Sequence, residues 1–254
     1  MSAYPAFVRK EFLEALRTWR LPVLAAVFAL IGMTSPVMAK IAPELLGSLV
    51  PEGVEITLAD PAAIDSWAQF HKNVSQMGLI VMVILFSGTM ANEFLRGTLV
   101  NLLSKGLSRR VVILAKFTTA ATLWTGVYAL CLGLTVGYTA WFWPGDRVSG
   151  EWVAALSLWG FGILLIALIL FGGTLFRTSY GCLLFTGGVV AVLLLADLSP
   201  ALRDFNPIRL TSGCTALLSG KIPASDMIGP AIAAVVLSAG CLTAAVAVFN
   251  RKTV

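Results

Sequence analysis

The stretch "NEFLRGTLVNLLSKGLSRRVVILAKF", Asn92–Phe117, lies between two long apolar runs. With Arg96, Lys105, Arg109, Arg110 and Lys116 it is too charged for the hydrocarbon of a bilayer. It is also too apolar for a plain solvated loop. Leu95, Leu99, Leu102 and Leu103 recur at i, i+4, i+7 and i+8, which puts them on one helical face. Arg96, Thr98, Asn101, Ser104 and Lys105 face elsewhere. Gly106 interrupts the stripe, and Ser108 is placed to cap the helix that enters the next apolar run. A loop that only reconnected two adjacent helices would need a handful of residues. This one spends far more, on an amphipathic helix, a stop and a basic turn.

The flanking runs set the class. Apolar residues make up 58% of the chain and charged ones 12%, against about 45–50% and about 25% in an average soluble domain. A soluble fold could not hide that much apolar surface. Crossing roughly 30 Å of hydrocarbon takes about 20 apolar residues at about 1.5 Å each. Segments 21–39, 74–91, 118–142, 152–176, 181–196 and 227–249 approach or exceed that length. The expected fold is an all-α polytopic membrane protein, one transmembrane domain over residues 1–254. The first run is longer than a signal-peptide core of about 7–15 residues and follows Glu11 and Glu14, so it reads as a retained span.

Six spans put both termini on one side. The segments on that side hold 12 lysines and arginines against 3 acidic residues, and the opposite loops hold 6 against 10. Basic residues collect on the cytoplasmic side, so both termini and residues 93–109 are expected there. The surplus suits anionic lipid and does not imply nucleic acid. Residues 4–20 form an expected interfacial helix. Val8, Phe12, Leu16 and Trp19 lie at i, i+4, i+8 and i+11, with Lys10 and Glu14 paired at i, i+4.

Within the span limits there is no Asp, Glu, Lys, Arg or His. Glu93, Lys116, Arg177 and Asp197 stand just outside, within snorkelling reach of the interface. His71 reads as an interfacial residue at a span end. Cys131, Cys182, Cys214 and Cys241 read as small core residues, without disulfide or metal spacing. The charge-free spans argue against a proton-coupled carrier. HExxH and G-x-S-x-G are missing, and "SGKIP" (Ser219–Pro223) lacks the first glycine and the hydroxyl residue of a phosphate loop. No catalytic residue, metal or bound cofactor is expected, and any energy source belongs to another chain.

On the outer side, Pro200, Pro207, Gly213, Gly220 and Pro223 prevent one continuous helix over 197–226. Yet "IRLTSGCTALLSG" is too apolar for open solvent. The first outer loop, with Glu44, Glu52, Glu55, Asp60 and Asp65, reads as a solvated acidic face. Gly133-x-x-x-Gly137 and the pair Gly172, Gly173 would permit close helix contact.

"ANEFLRGTLVNLLSKGLSRRVVILAKF" resembles the pattern E-x-x-x-G-T-x-x-x-L-L-[ST]-x-x-x-[ST]-R-x-x-x-x-x-[AG]-K of type-2 ABC exporter permeases. The matching residues are Glu93, Gly97, Thr98, Leu102, Leu103, Ser104, Ser108, Arg109, Ala115 and Lys116. "RKEFLEALRTWRLPVL" is similar to the family's K-E-[FL] opening through Lys10 and Glu11. "NPIRLTSGCTALLSG" (Asn206–Gly220) is similar to its N-P segment before the last span. The resemblance implies a pore built from two permease copies, or a permease and a paralogue, in a bacterial inner (plasma) membrane. Each would bind a separate nucleotide-binding ATPase subunit, which uses ATP and Mg. It implies a cytoplasmic coupling helix over Arg96–Ser104, including Leu99, framed by Glu93 and Arg109 and docked in a groove of that ATPase. It also implies short re-entrant helices at an outer gate around Asn206, Pro207, Gly213 and Gly220. The apolar pore expected here favours an amphipathic peptide, antibiotic or lipid-like cargo. A carrier or channel working without an ATPase is the alternative.

Overall fold

A chain segment surrounded by hydrocarbon must satisfy its own backbone N–H and C=O groups, and a continuous helix does so. The apolar runs accordingly become helices. The computed structural model describes residues 3–48, 60–95, 97, 108–176 and 178–251. In chain order the longer helices are α1 (Ala3–Arg17), α2 (Arg20–Ser48), α3 (Ala63–Asn73), α4 (Leu79–Leu95), α5 (Arg109–Phe142), α6 (Glu151–Leu175) and α7 (Ser179–Ala196). Three short helices follow, α8 (Pro200–Arg203), α9 (Arg209–Ser212) and α10 (Cys214–Leu218), and then α11 (Ile228–Arg251). Among the described residues, six helical stretches are long and apolar enough to cross a membrane: Arg20–Leu45, Ala63–Ala91, Arg109–Phe142, Glu151–Leu175, Ser179–Ala196 and Ala224–Arg251. The molecule is an all-α polytopic membrane protein.

The second span starts well before the expected Val74. Helix α3 runs without a break through a π-helical turn, Val74–Gly78, into α4. Averaged hydropathy misses α3 because the helix is two-faced. Trp67, Phe70 and Val74 are buried, while Asp65 and Lys72 are exposed. This corrects the reading of His71 as an interfacial residue, since the ring is only 2% exposed. Its Nδ1 lies 2.8 Å from the Trp67 carbonyl one turn back, and it meets Phe70 edge-on at 5.1 Å. The local backbone carbonyl partners Nδ1, and the Trp67 and Phe70 rings pack around the imidazole.

Helix α6 is the centre of the bundle: 72% of its most apolar stretch is buried, against 11% for α7 and 22% for the last span. Helix α2 packs along α5 at a point where Gly32 removes the obstacle. A Cβ on Gly32 would sit 2.6 Å from the Cys131 carbonyl oxygen, and the Thr135 hydroxyl donates to the Gly32 carbonyl at 3.2 Å. Where α6 meets α5, Gly162 lies against the buried Trp124 ring, whose Nε1 donates to the Trp159 carbonyl at 3.0 Å. Of the glycines singled out by spacing, Gly172 and Gly173 sit at such contacts, against Phe185 and Met90. Gly133 and Gly137 face open space.

Side-chain bonds pair the ends of the bundle. At one end Lys10 reaches Glu93, and the Arg109 guanidinium donates to the Phe249 carbonyl. So α1, the end of α4, the start of α5 and the end of α11 share that end. At the other, the Ala63 N–H donates to Asp146 at 2.9 Å and Trp143 Nε1 to the Pro61 carbonyl at 2.6 Å. Segment 197–226 folds back there as short helices. Ile208, Leu210, Cys214, Leu217 and Leu218 are buried, packed against α3 and α6. Asn206 locks the turn: its Nδ2 donates to the Leu193 carbonyl at 2.7 Å, and its Oδ1 accepts from the Ile208 N–H at 3.2 Å. Pro207 is buried beside it, Gly213 is in contact with Met227, and Gly220 takes a left-handed φ of 68°.

Candidate functional site: a buried ion network at the basic end

Helix α1 presents two faces. Phe7, Glu11 and Ala15 recur at i, i+4 and i+8 and are buried, and Tyr4 shares a 2.6 Å hydrogen bond with Thr118 of α5. The docked face is therefore one residue ahead of the expected aromatic stripe. Val8 and Phe12 are half-buried at its edge, while Leu16 and Trp19 are exposed. Trp19 is outside the helix altogether. Helix α1 ends at Arg17, and Trp19 turns the chain into α2 with a φ of 59°.

What draws this face inward is charge. Glu11 accepts from Lys116 at 2.8 Å, and Lys116 lies 3.1 Å from Glu93. Lys10 lies 2.8 Å from carboxylate oxygens of Glu11, Glu14 and Glu93. Two lysines thus bridge three glutamates, and the five groups come from three helices, α1, α4 and α5. The Lys116 side chain is 1% exposed, Glu11 7% and Glu93 6%. This overturns the snorkelling reading of Lys116 and Glu93. Lys116 sits about two turns past the Ser108 cap, too deep in α5 to reach water and close enough to two carboxylates not to need it. The acids Glu11, Glu14 and Glu93 lie close enough to share one ion. The Lys10 ammonium already occupies the space among them.

The network is a conditional stabiliser. Bringing each ion out of water costs several kcal/mol, which mutual attraction and good geometry offset only while every partner is present and charged. Burial pulls the Lys10 pKa down, but hydrogen bonds to Glu11, Glu14 and Glu93 outweigh it and hold the value above the ordinary lysine range. Burial pushes Glu14 up, and the Lys10 hydrogen bond and charge more than reverse this, leaving it below the ordinary glutamate value. A depressed carboxylate stabilises above its unfolded pKa and loses that contribution as pH falls through the folded one; a raised lysine does the reverse on the alkaline side. We expect α1 to stay docked from just above the ordinary glutamate range to just below the ordinary lysine range. Protection of the amides across Ala3–Arg17, taken relative to intrinsic exchange at each pH, should fall below the acid limit and above the alkaline one. Protection that stays constant from strong acid to neutrality would sink this.

The other expected site residues divide. Ser108 caps α5, its Oγ accepting from the Val111 N–H at 3.4 Å. Arg109 turns inward, its guanidinium also 5.3 Å from the centre of the Phe249 ring. Gly97 has a left-handed φ of 64° with open space around it. Arg96, Thr98, Leu99, Leu102, Leu103 and Ser104 lie outside the described residues. The expected Lys10–Glu14 pair forms, at 2.8 Å; what the expectation missed is that this pair meets Glu11, Glu93 and Lys116. The available signal was that every one of them stood at a span border or on the N-terminal helix.

No family model matches the chain. It is 23% identical over 181 residues, 70% of each chain, to a Bacillus subtilis (strain 168) protein described as "Uncharacterized transmembrane protein YxlG". That likeness, to a transmembrane protein, agrees with the class the helices define.

Proposed function

We propose that this chain is the transmembrane permease subunit of an ATP-driven exporter of the type-2 ABC class, with both termini cytoplasmic in a bacterial inner membrane. It pairs with a second copy or a paralogue, and residues 96–104 dock on a separate ATPase subunit that uses ATP and Mg. The observation that carries this reading is the ion network. In the chain, residues 96–107 link α4, which carries Glu93 near its end, to α5, which starts at Arg109, and both anchors are tied inward. Glu93 and Lys116 join α4 and α5 to α1, and Arg109 joins α5 to α11. A push that reaches the two anchors is passed to four helices as a unit. The leucine stripe supplies the apolar face that a partner's groove would hold. Expected cargo is amphipathic, because the helix surfaces are apolar with sparse hydroxyls.

In membranes carrying this chain and its partner, changing both Leu99 and Leu103 to Asp should abolish stimulation of the partner's ATPase and stop transport, with insertion intact. Transport that survives the double change, or that proceeds without nucleotide, favours a carrier or channel.

A further inference from the structure

At the end opposite the ion network lies a cavity of about 850 Å³ between α2, α3 and the short helices α9 and α10. Its polar lining includes Asp65, Gln69, Lys72, Thr211, Ser212 and Thr215, facing an apolar wall of Met38, Ala42 and Leu45. A second cavity, of about 580 Å³, lies between α4 and α7 and is lined by Leu79, Ile80, Val83, Leu183, Val190 and Leu194 among others. Ser75, Gln76 and Thr211 line both. They form a hydroxyl and amide neck, and Ser75 and Gln76 belong to the π-helical turn.

One face of the second span connects the two chambers. Positions 65, 69, 72 and 76 continue at helical spacing into 79, 80, 83 and 84, and the chemistry changes at the neck from charged and polar to aliphatic. A π turn widens a helix locally and is common where a helix meets a ligand. From Gln76 to Ile84 the apolar half extends about 12 Å by helical rise, the length of a medium acyl chain. Ile80 and Ile84 are more than half exposed, so this chamber opens along the side of the bundle. In the polar chamber Asp65 and Lys72 stand seven residues apart, on one face, with opposite charges. Asp65 uses Oδ2 to accept from the Ala62 N–H at 3.0 Å, leaving Oδ1 for a cation.

We infer that the two chambers form one binding site for a zwitterionic amphiphile. Its ammonium lies on Asp65, its phosphate on Lys72 and the Thr and Ser hydroxyls, and its acyl chain runs past Ser75 and Gln76 between α4 and α7. As a statement about cargo this rests on the transport reading. As a statement about binding it does not, and it is tested without nucleotide or ATPase.

The full chain is purified in detergent and bound adducts are counted by native mass spectrometry. Three probes are used: lysophosphatidylethanolamine, lysophosphatidylglycerol of the same chain, and chainless glycerophosphoethanolamine. The ethanolamine lysolipid should be retained at least fivefold over the glycerol one. Lys72→Glu should cut its retention at least fivefold. Asp65→Asn, which keeps an oxygen to cap α3, should erase the head-group preference. Gly187 lines the apolar chamber with no atom within 4 Å of a built Cβ, so Gly187→Phe adds bulk there without a clash in the fold. It should cut lysolipid binding while leaving glycerophosphoethanolamine unchanged. Equal retention of the two lysolipids, or indifference to Lys72→Glu, overturns the head-group assignment. Lysolipid binding unaffected in a folded Gly187→Phe chain overturns the chain path.

Discussion

Lys116→Met lowers the stability of the protein by about 3–5 kcal/mol, the cost of removing one member of a buried ion network, and it releases α1. The substituted side chain is apolar and of similar length, so packing loss is minor. What remains is Glu11 and Glu93, both under a tenth exposed, with one of their two cations gone. Lys10 cannot replace it. Its ammonium already serves Glu14 as well, and its side chain is 42% exposed. Thermal unfolding in detergent, followed by tryptophan emission, should show the loss, and protease should cut at Arg17 in the variant under conditions that spare the parent. Adding Glu11→Gln to Lys116→Met should recover part of the stability, because it discharges an uncompensated carboxylate. A Lys116→Met chain with parental melting and an uncut α1 would mean that the network contributes nothing and that α1 is held by its apolar face, with Phe7 and Ala15, and by the Tyr4–Thr118 hydrogen bond.

The second large effect concerns two glycines. Gly32→Ala and Gly162→Ala should each cost about 1–3 kcal/mol, the usual range for overpacking a close-packed contact. Gly32 belongs at the upper end. Its new methyl would lie 2.6 Å from a backbone oxygen of α5, so two helices must separate. At Gly162 the methyl would lie 2.4 Å from ring atoms of Trp124, which is fully buried and held edge-on to Phe28 at 5.4 Å. Gly133→Ala is the matched control. It is helical, and among the described residues a Cβ there meets no atom within 4 Å, so losing glycine's backbone freedom should stabilise it by up to about 1 kcal/mol. If all three variants melt together, helix approach at these points is looser than described.

The membrane class was plain from the residues, because a run of about 20 apolar side chains has few other homes. The pairing of ends was also implicit in an even number of spans. Harder to see was α3, where Asp65, Gln69 and Lys72 dilute the hydropathy although Trp67 and Phe70 on the opposite face are buried. The same dilution hid His71. Spacing alone also ranked the glycines wrongly. Gly133 and Gly137 match a contact motif, yet among the described residues no atom lies within 4 Å of a Cβ built on either, whereas Gly32 and Gly162, in no motif, sit at close helix approaches.

By itself, then, the order of residues determined which long apolar runs leave water and which end of the bundle carries the positive charge, since each depends on neighbours a few positions away. Only the folded molecule decided which charges meet. Glu11, Glu93 and Lys116 are separated by 105 and 82 and 23 positions along the chain, and a carboxylate at a helix end looks alike whether it faces headgroups or an ammonium on another helix. Desolvation and pairing depend on distance in space, and that is settled when α1 packs on α5.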